Sequence, residues 1–126
     1  MALIDTNIML RFLLNDNQEL SAKASEIITQ NKCFVKYEVI AEAVYVLSKV
    51  YDIDRHGIAD AIRLFLPNVT VENREVVLSA LSSYEATKLD FVDCILAAHG
   101  LVEKEEIFTF DKKLNNFIKR QEEKQA

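Results

Sequence analysis

The first seven residues constrain the fold more than any other stretch of the chain. A short apolar run, residues 2–4, ends at the carboxylate of Asp5, and a helical pattern begins directly after Thr6 and Asn7. A buried strand that ends at an acid places the charge at its C-terminal end, where ligand crevices form in open α/β sheets. The start of the chain therefore predicts an α/β fold with a polar site at one sheet edge.

The rest of the chain alternates short strand-like runs with amphipathic helical stretches. Further strands are predicted at residues 33–35, 69–71 and 107–110, and apolar spacings of three and four predict the helices between them. This alternation implies βαβ units and a parallel sheet. A length of 126 residues suits one domain, which we expect over residues 1–118, followed by a charged, frayed tail at 119–126.

The composition narrows the class of protein. A formal net charge of −5 argues against a basic coat protein for nucleic acid, but not against a nuclease whose site is itself acidic. Cys33 and Cys94 lack metal-type spacing and are predicted to be buried, reduced thiols. No signal-peptide pattern and no apolar run of about 18 residues occurs, which predicts a cytoplasmic protein without a membrane span.

Four carboxylates occupy positions that suggest a metal site. Asp5 and Asp111 follow two predicted strands whose C-terminal ends share an edge in a parallel sheet. Glu42 and Asp93 lie in predicted helices beside apolar faces. Carboxylates brought close together repel one another unless a cation lies between them, and Mg²⁺ and Mn²⁺ prefer oxygen ligands. Such an ion activates water and stabilises charge at phosphorus without a catalytic His, Ser or Cys.

Each acid also has a plainer explanation when it is considered alone. Asp5, Asp90 and Asp111 are suited to cap the helices that follow them. Asp90 with Asp93 three residues later resembles a capping box. Glu42 lies at the border of the apolar face of its predicted helix, where an ordinary solvated residue also fits. Mutual repulsion separates the two interpretations: in a shared metal site, neutralising Asp5 or Asp93 is expected to stabilise the metal-free protein.

Four motifs in order make the chain similar to the PIN-domain family, and more narrowly to the VapC-like ribonuclease toxins of type II toxin–antitoxin pairs. These motifs are residues 4–7, 41–43, 90–98 and 107–111. The resemblance covers residues 2–118. It implies a parallel sheet in the order 3-2-1-4 with helices on both sides, and in many members a fifth strand, although residues 119–126 are not strand-like.

The resemblance also implies an activity and roles for individual residues. The activity is Mg²⁺- or Mn²⁺-dependent hydrolysis of RNA, and the partners are the RNA substrate, a cognate antitoxin and a second copy in a homodimer. The family's acidic metal-binding quartet is matched by Asp5, Glu42, Asp93 and Asp111. An additional acid in part of the family is matched by Asp90. Supporting polar positions are matched by Asn7 and Thr109, with Thr6 beside them.

Three cations are candidates for contacts with RNA phosphates. Arg11 lies one turn beyond Asn7, and Lys112 and Lys113 adjoin Asp111. Solvated surface charge is an equally good explanation for each of them.

Several other classes of protein compete with a toxin nuclease. A catalytically inactive PIN-like binding module has the same fold, but the presence of all four acids counts against it. A stand-alone RNA-processing nuclease shares all the features above. A haloacid-dehalogenase phosphatase needs a second Asp where this chain has Asn7. A phospho-acceptor receiver domain needs an Asp at the end of its central strand, where Lys36 follows Val35 instead.

Overall fold

The structure, a computed structural model, describes residues 1–125 as an α/β fold. Within these residues there are seven α-helices and three strands. The strands are β1 (Ala2–Leu3), β2 (Cys33–Val35) and β3 (Thr70–Val71). The helices are α1 (Thr6–Leu14), α2 (Gln18–Gln30), α3 (Tyr37–Lys49), α4 (Arg55–Phe65), α5 (Arg74–Ala86), α6 (Phe91–Val102) and α7 (Lys112–Gln125). The chain divides into two compact units, the first ending at Arg74.

The first unit contains the sheet. Its strands are parallel and lie in the order β1-β2-β3. Phe34 occupies the centre of the ladder, opposite Leu3 on one side and Thr70 on the other. Parallel strands need a crossover connection, which α1 with α2 supplies between β1 and β2, and α3 with α4 supplies between β2 and β3. The predicted parallel sheet is confirmed. The observed strand order agrees with the 3-2-1 part of the predicted order 3-2-1-4.

Local polar residues determine where the helices of this unit begin and end. The Asn17 side chain accepts a hydrogen bond from the Leu20 amide at 3.0 Å, which caps α2. Asp54 caps α4 in the same way through the Gly57 amide at 2.7 Å. Each cap satisfies one of the amides that a helix N-terminus leaves unpaired. Asn15 ends α1 in the left-handed conformation, with φ of 50°.

The core of the first unit lies where α1 packs against α2 and α3, and α3 packs against α4. Phe65 is its largest fully buried side chain, and its ring meets that of Phe12 edge-on at 5.6 Å between centroids. Other fully buried side chains of this unit are Met9, Val35, Ile40, Leu47, Ile58, Ile62 and Leu66.

The second unit contains only helices among its described residues. Helix α6 packs against α7, and the Tyr84 and Phe91 rings meet edge-on at 5.8 Å. Its buried apolar side chains include Val76, Val77, Ala80, Leu81, Ala97, Leu114 and Phe117. Cys94 of this unit and Cys33 of the first unit are both free and buried, as predicted.

The prediction of a fourth strand is wrong for the described residues, and β1 therefore lies at an edge of the three-stranded sheet. Residues 107–110 form an irregular connection from α6 to α7. The Thr109 carbonyl, which a strand would use in a ladder, instead accepts a hydrogen bond from Asn115 Nδ2 at 2.8 Å. Phe108 and Phe110 of the same segment are exposed to solvent. The aromatic pattern is typical of a strand, but the segment is irregular and one of its carbonyls bonds to a side chain of α7.

The charged tail is also more ordered than predicted. Residues 119–125 continue α7, while Ala126 lies outside the described residues. No Gly or Pro interrupts this stretch, and Lys, Arg, Gln and Glu are all good helix formers. Lys104 Nζ donates to Gln125 Oε1 at 2.9 Å, which ties the last turn of α7 to the preceding connection. These residues form no fifth strand, and the domain boundary at residue 118 stays a prediction.

Phe65→Ala is expected to destabilise the protein strongly. The side chain is 1% exposed, and its truncation leaves a cavity, which typically costs about 3–5 kcal/mol for Phe→Ala. The measurement is the free energy of unfolding in urea. Leu64→Ala serves as the matched control because Leu64 is adjacent but 78% exposed, and its effect is expected to stay within about 0.5 kcal/mol. Equal effects of the two variants would contradict the assignment of the core.

Candidate functional site

Three carboxylates of the second unit lie close enough to influence one another. Asp90 is the N-cap residue of α6, and Asp93 lies in its first turn. Asp111 directly precedes α7. The packing of α6 against α7 brings these segments together, so that acids 18 or more residues apart in the sequence share one electrostatic environment.

The Asp93 carboxyl shows that this environment is negative. Burial raises its pKa above the ordinary value, and the charges of Asp111 and then Asp90 raise it further. A positive charge placed among the three acids would oppose this shift. Among the described residues, however, their oxygens do not all come within 4.8 Å of one another. The three acids therefore form a loose anionic group, which we call the acidic trio, rather than a closed ligand shell.

Two members of the acidic trio use their carboxylates differently. Asp111 Oδ1 accepts a hydrogen bond from the Leu114 amide at 3.1 Å and so caps α7. Asp90 is exposed and makes no capping hydrogen bond with its side chain in the described part of α6. The capping explanation therefore holds for Asp111 but not for Asp90, and the predicted capping box is absent from the described start of α6.

Thr109 fixes the chain immediately before Asp111. Its hydroxyl accepts a hydrogen bond from the Asp111 amide at 3.1 Å, and its carbonyl accepts one from Asn115. These two bonds give a physical basis to the supporting role predicted for Thr109. Asn115 was missed in the sequence. Its position one helical turn after Asp111 was the available signal, because that spacing lets it reach back to the start of α7.

The remaining predicted site residues lie in the first unit. Asp5 is exposed and caps α1 by accepting a hydrogen bond from the Ile8 amide at 3.0 Å. Glu42 is exposed in the second turn of α3, a helix that packs against α1. Thr6 is buried at the start of α1, and Asn7 is exposed beside it. The assembly of Asp5 and Glu42 with Asp93 and Asp111 into one four-acid site stays a prediction.

The three cations predicted to contact RNA phosphates differ in whether another side chain of the protein already pairs with them. Arg11 Nη1 forms an ion pair with Asp16 Oδ1 at 3.0 Å, and Asp16 Oδ2 also accepts a hydrogen bond from the Tyr51 hydroxyl at 3.4 Å. Arg11 thus has a structural partner within the first unit. Lys112 and Lys113 are exposed in the first turn of α7, and they are better suited to contact a substrate.

Comparison with known proteins identifies the family of this chain. Residues 2–119 match the PIN domain, and the chain therefore belongs to the PIN-domain family. It is also similar to a protein of Aquifex aeolicus (strain VF5) named VapC ribonuclease, with 30% identity over 101 residues that cover 75% of each chain. No solved structure matches the chain significantly. The family resemblance and the α/β fold class predicted from the sequence are confirmed.

The described helices also bear on membrane association. None of the helices within residues 1–125 combines the length and the apolar character that a transmembrane span requires.

Asp93→Asn is expected to raise the melting temperature of the metal-free protein at pH 7. The pKa of Asp93 is raised in the folded state, so above its unfolded-state pKa ionisation of this group destabilises the fold. The gain should shrink as the pH falls through the folded-state pKa, because the wild-type group is then neutral too.

Thermal unfolding in EDTA at several pH values measures this effect. Glu123→Gln on α7, an exposed neutralisation outside the acidic trio, is the matched control and should change little. Asp5→Asn should keep the cap on α1, because Asn caps a helix about as well as Asp, and the stabilisation expected from neutralising Asp5 stays a prediction. An unchanged or lowered melting temperature for Asp93→Asn would contradict mutual repulsion.

Proposed function

We propose that this protein is a metal-dependent endoribonuclease, which hydrolyses RNA phosphodiester bonds as the toxin of a toxin–antitoxin pair. The observation that carries the proposal is the convergence of three carboxylates where α6 packs against α7, and burial together with the charges of Asp111 and Asp90 raises the pKa of Asp93 there. Membership of the PIN-domain family and similarity to a protein named VapC ribonuclease support the same activity.

The residues present fit a hard divalent cation. The acidic trio offers only carboxylate oxygens, and its exposed and half-exposed members leave room for water ligands, as Mg²⁺ or Mn²⁺ requires. PIN nucleases generally use divalent metals. When bound, the ion would supply an activated water and positive charge beside the phosphorus under attack.

We assign the metal-holding roles as follows. Asp5 and Asp93 would hold the metal directly, and Glu42 and Asp111 would do so directly or through water, with Asp90 adding negative charge. One oxygen of Asp111 caps α7, so its carboxylate is held in a fixed orientation and offers its other oxygen to a ligand.

Neighbouring polar residues would position these acids and the substrate. Thr109 holds the backbone of Asp111 through two hydrogen bonds, and Thr6 and Asn7 follow Asp5. Exposed Lys112 and Lys113 would contact RNA phosphates, with Arg11 less available because of its ion pair.

The same proposal includes protein partners. A relative named as a VapC ribonuclease supports a cognate antitoxin and action in the cytoplasm, where the RNA is found. We further propose a homodimer. Val92 and Leu96 are 58% and 40% exposed and lie four residues apart on α6, and such an apolar pair on one helix face suits a protein interface.

Asp93→Asn and Asp5→Asn are each expected to abolish RNA cleavage while the fold survives. Removing even an outer-shell partner of a metal site costs about 10–100-fold, so the loss of a direct ligand should reduce the rate by at least about 100-fold. Cleavage of a labelled RNA in Mg²⁺ or Mn²⁺ and in EDTA provides the measurement, with Glu123→Gln as the control.

Full activity in Asp93→Asn, or cleavage by the wild type that persists in EDTA, would refute the assignment. Calorimetric titration with Mn²⁺ separates an inactive binding module from an active enzyme. A module that keeps the fold and has lost the site would bind no metal and would cleave no RNA.

Expression of the wild-type protein is expected to arrest the growth of a bacterial host, and expression of Asp93→Asn is not. The arrest follows from cleavage of cellular RNA and should disappear when the protein encoded by a small adjacent gene is expressed with it. Normal growth at a verified level of active enzyme would favour the alternative, a stand-alone RNA-processing nuclease.

A further inference from the structure

The second unit contains a cationic cavity outside the carboxylates described above. Its volume is about 340 Å³, within the range of ligand pockets, and it lies between residues 86–89 and one face of α7. Lys88, Lys113 and Arg120 line it together with Thr87 and Asn116. No Asp or Glu belongs to the described lining, although the chain as a whole carries a net charge of −5. This cavity, which we call the basic pocket, thus has the opposite charge to most of the protein.

The three cations of the basic pocket are available for a ligand. All three are exposed, and within residues 1–125 none of them forms an ion pair or a hydrogen bond with the protein. In contrast, Arg11 pairs with Asp16, and Lys23 pairs with Glu19. Among the described residues, no carboxylate therefore forms a direct ion pair with the cations of the basic pocket.

The two walls of the basic pocket adjoin members of the acidic trio along the chain. The wall formed by residues 86–89 continues directly into Asp90. The other wall begins at Lys113, two residues after Asp111. Lys113 and Arg120 lie seven residues apart on one face of α7, which is about 10 Å along the helix axis. The cationic surface thus begins beside the acidic trio and extends two turns along α7.

We propose that the basic pocket binds backbone phosphates of the RNA substrate on one side of the bond to be cleaved. This inference rests on the proposed ribonuclease function, and it adds Lys88 and Arg120 to the substrate-binding residues. Lys supplies a point charge to phosphate, and the Arg guanidinium can donate two parallel hydrogen bonds to phosphate oxygens.

The composition of the pocket favours phosphates over bases as the recognised groups. The aromatic residue in its lining, Phe117, is 5% exposed and presents no open ring face. Stacking of bases requires such a face. The pocket should therefore bind RNA without regard to sequence and hold it in position for the acidic trio, because phosphate contacts set position and carry no sequence information.

The double variant Lys88→Gln/Arg120→Gln tests this proposal. Binding of a fluorescent single-stranded RNA of mixed sequence is measured by anisotropy over a series of KCl concentrations, in EDTA to prevent cleavage. The slope of log K against log [salt] falls by about 0.7 for each phosphate contact that is lost from a single strand. The double variant should therefore bind more weakly, with a slope reduced by about 1.4, and Lys88→Gln alone should lose about half of that.

Lys104→Gln/Lys119→Gln is the matched control, because it removes the same charge from exposed positions of the same unit outside the basic pocket. Its slope should equal that of the wild type. Identical slopes for the wild type and Lys88→Gln/Arg120→Gln would overturn the proposal, as would the absence of RNA binding by the wild type. So would a double variant that loses binding to an oligoglutamate peptide but keeps its affinity for RNA.

This binding measurement is independent of the proposed catalysis. A protein that binds RNA through the basic pocket but shows no metal-dependent cleavage would refute the proposed function and leave the phosphate site intact. A Lys88→Gln/Arg120→Gln variant that cleaves RNA with the rate and salt dependence of the wild type would refute the phosphate site and leave the proposed ribonuclease function intact.

Discussion

The packing of α6 against α7 is the interaction on which the rest of the second unit depends, because it holds three like charges near one another. Repulsion between unit charges 4 Å apart amounts to about 1 kcal/mol in water and more where solvent is excluded. Burial of one large apolar side chain contributes about 1.5–3 kcal/mol. Phe91, Leu114 and Phe117 are all buried on these helices. Their burial is large enough to keep the acids near one another despite this repulsion.

Helix capping and metal binding are compatible roles for the same carboxylate. Asp5 and Asp111 each accept one amide hydrogen bond at the start of a helix, which restricts the rotation of the side chain. A carboxylate has two oxygens, so a cap on one of them leaves the other oriented before any ligand arrives. In the sequence these explanations compete, whereas in the structure the cap leaves one oxygen of each carboxylate open to the metal-binding role that we propose.

The sequence was most informative where local periodicity and residue type decide the structure. Apolar spacing located the helices, and the carboxyl groups of the acidic trio could be named because their chemistry is visible residue by residue. The prediction of a fourth strand was wrong: residues 107–110 are irregular, and the Thr109 carbonyl bonds to the Asn115 side chain, a contact that a strand-like pattern does not reveal. The basic pocket escaped notice because Lys88 and Arg120 lie 32 residues apart and meet only when the helices pack.

The exposed connection between α6 and α7 couples its surface to the geometry of the acids. Phe108 and Phe110 are 86% and 106% exposed, and they flank Thr109, which holds the backbone of Asp111. A ligand that covered these two rings would move or immobilise the segment that orients the acid. By thermodynamic reciprocity, occupation of the acids would alter the affinity of the rings for that ligand by the same factor. A ligand on the two rings would then change cation binding at the acids without covering the carboxylates themselves.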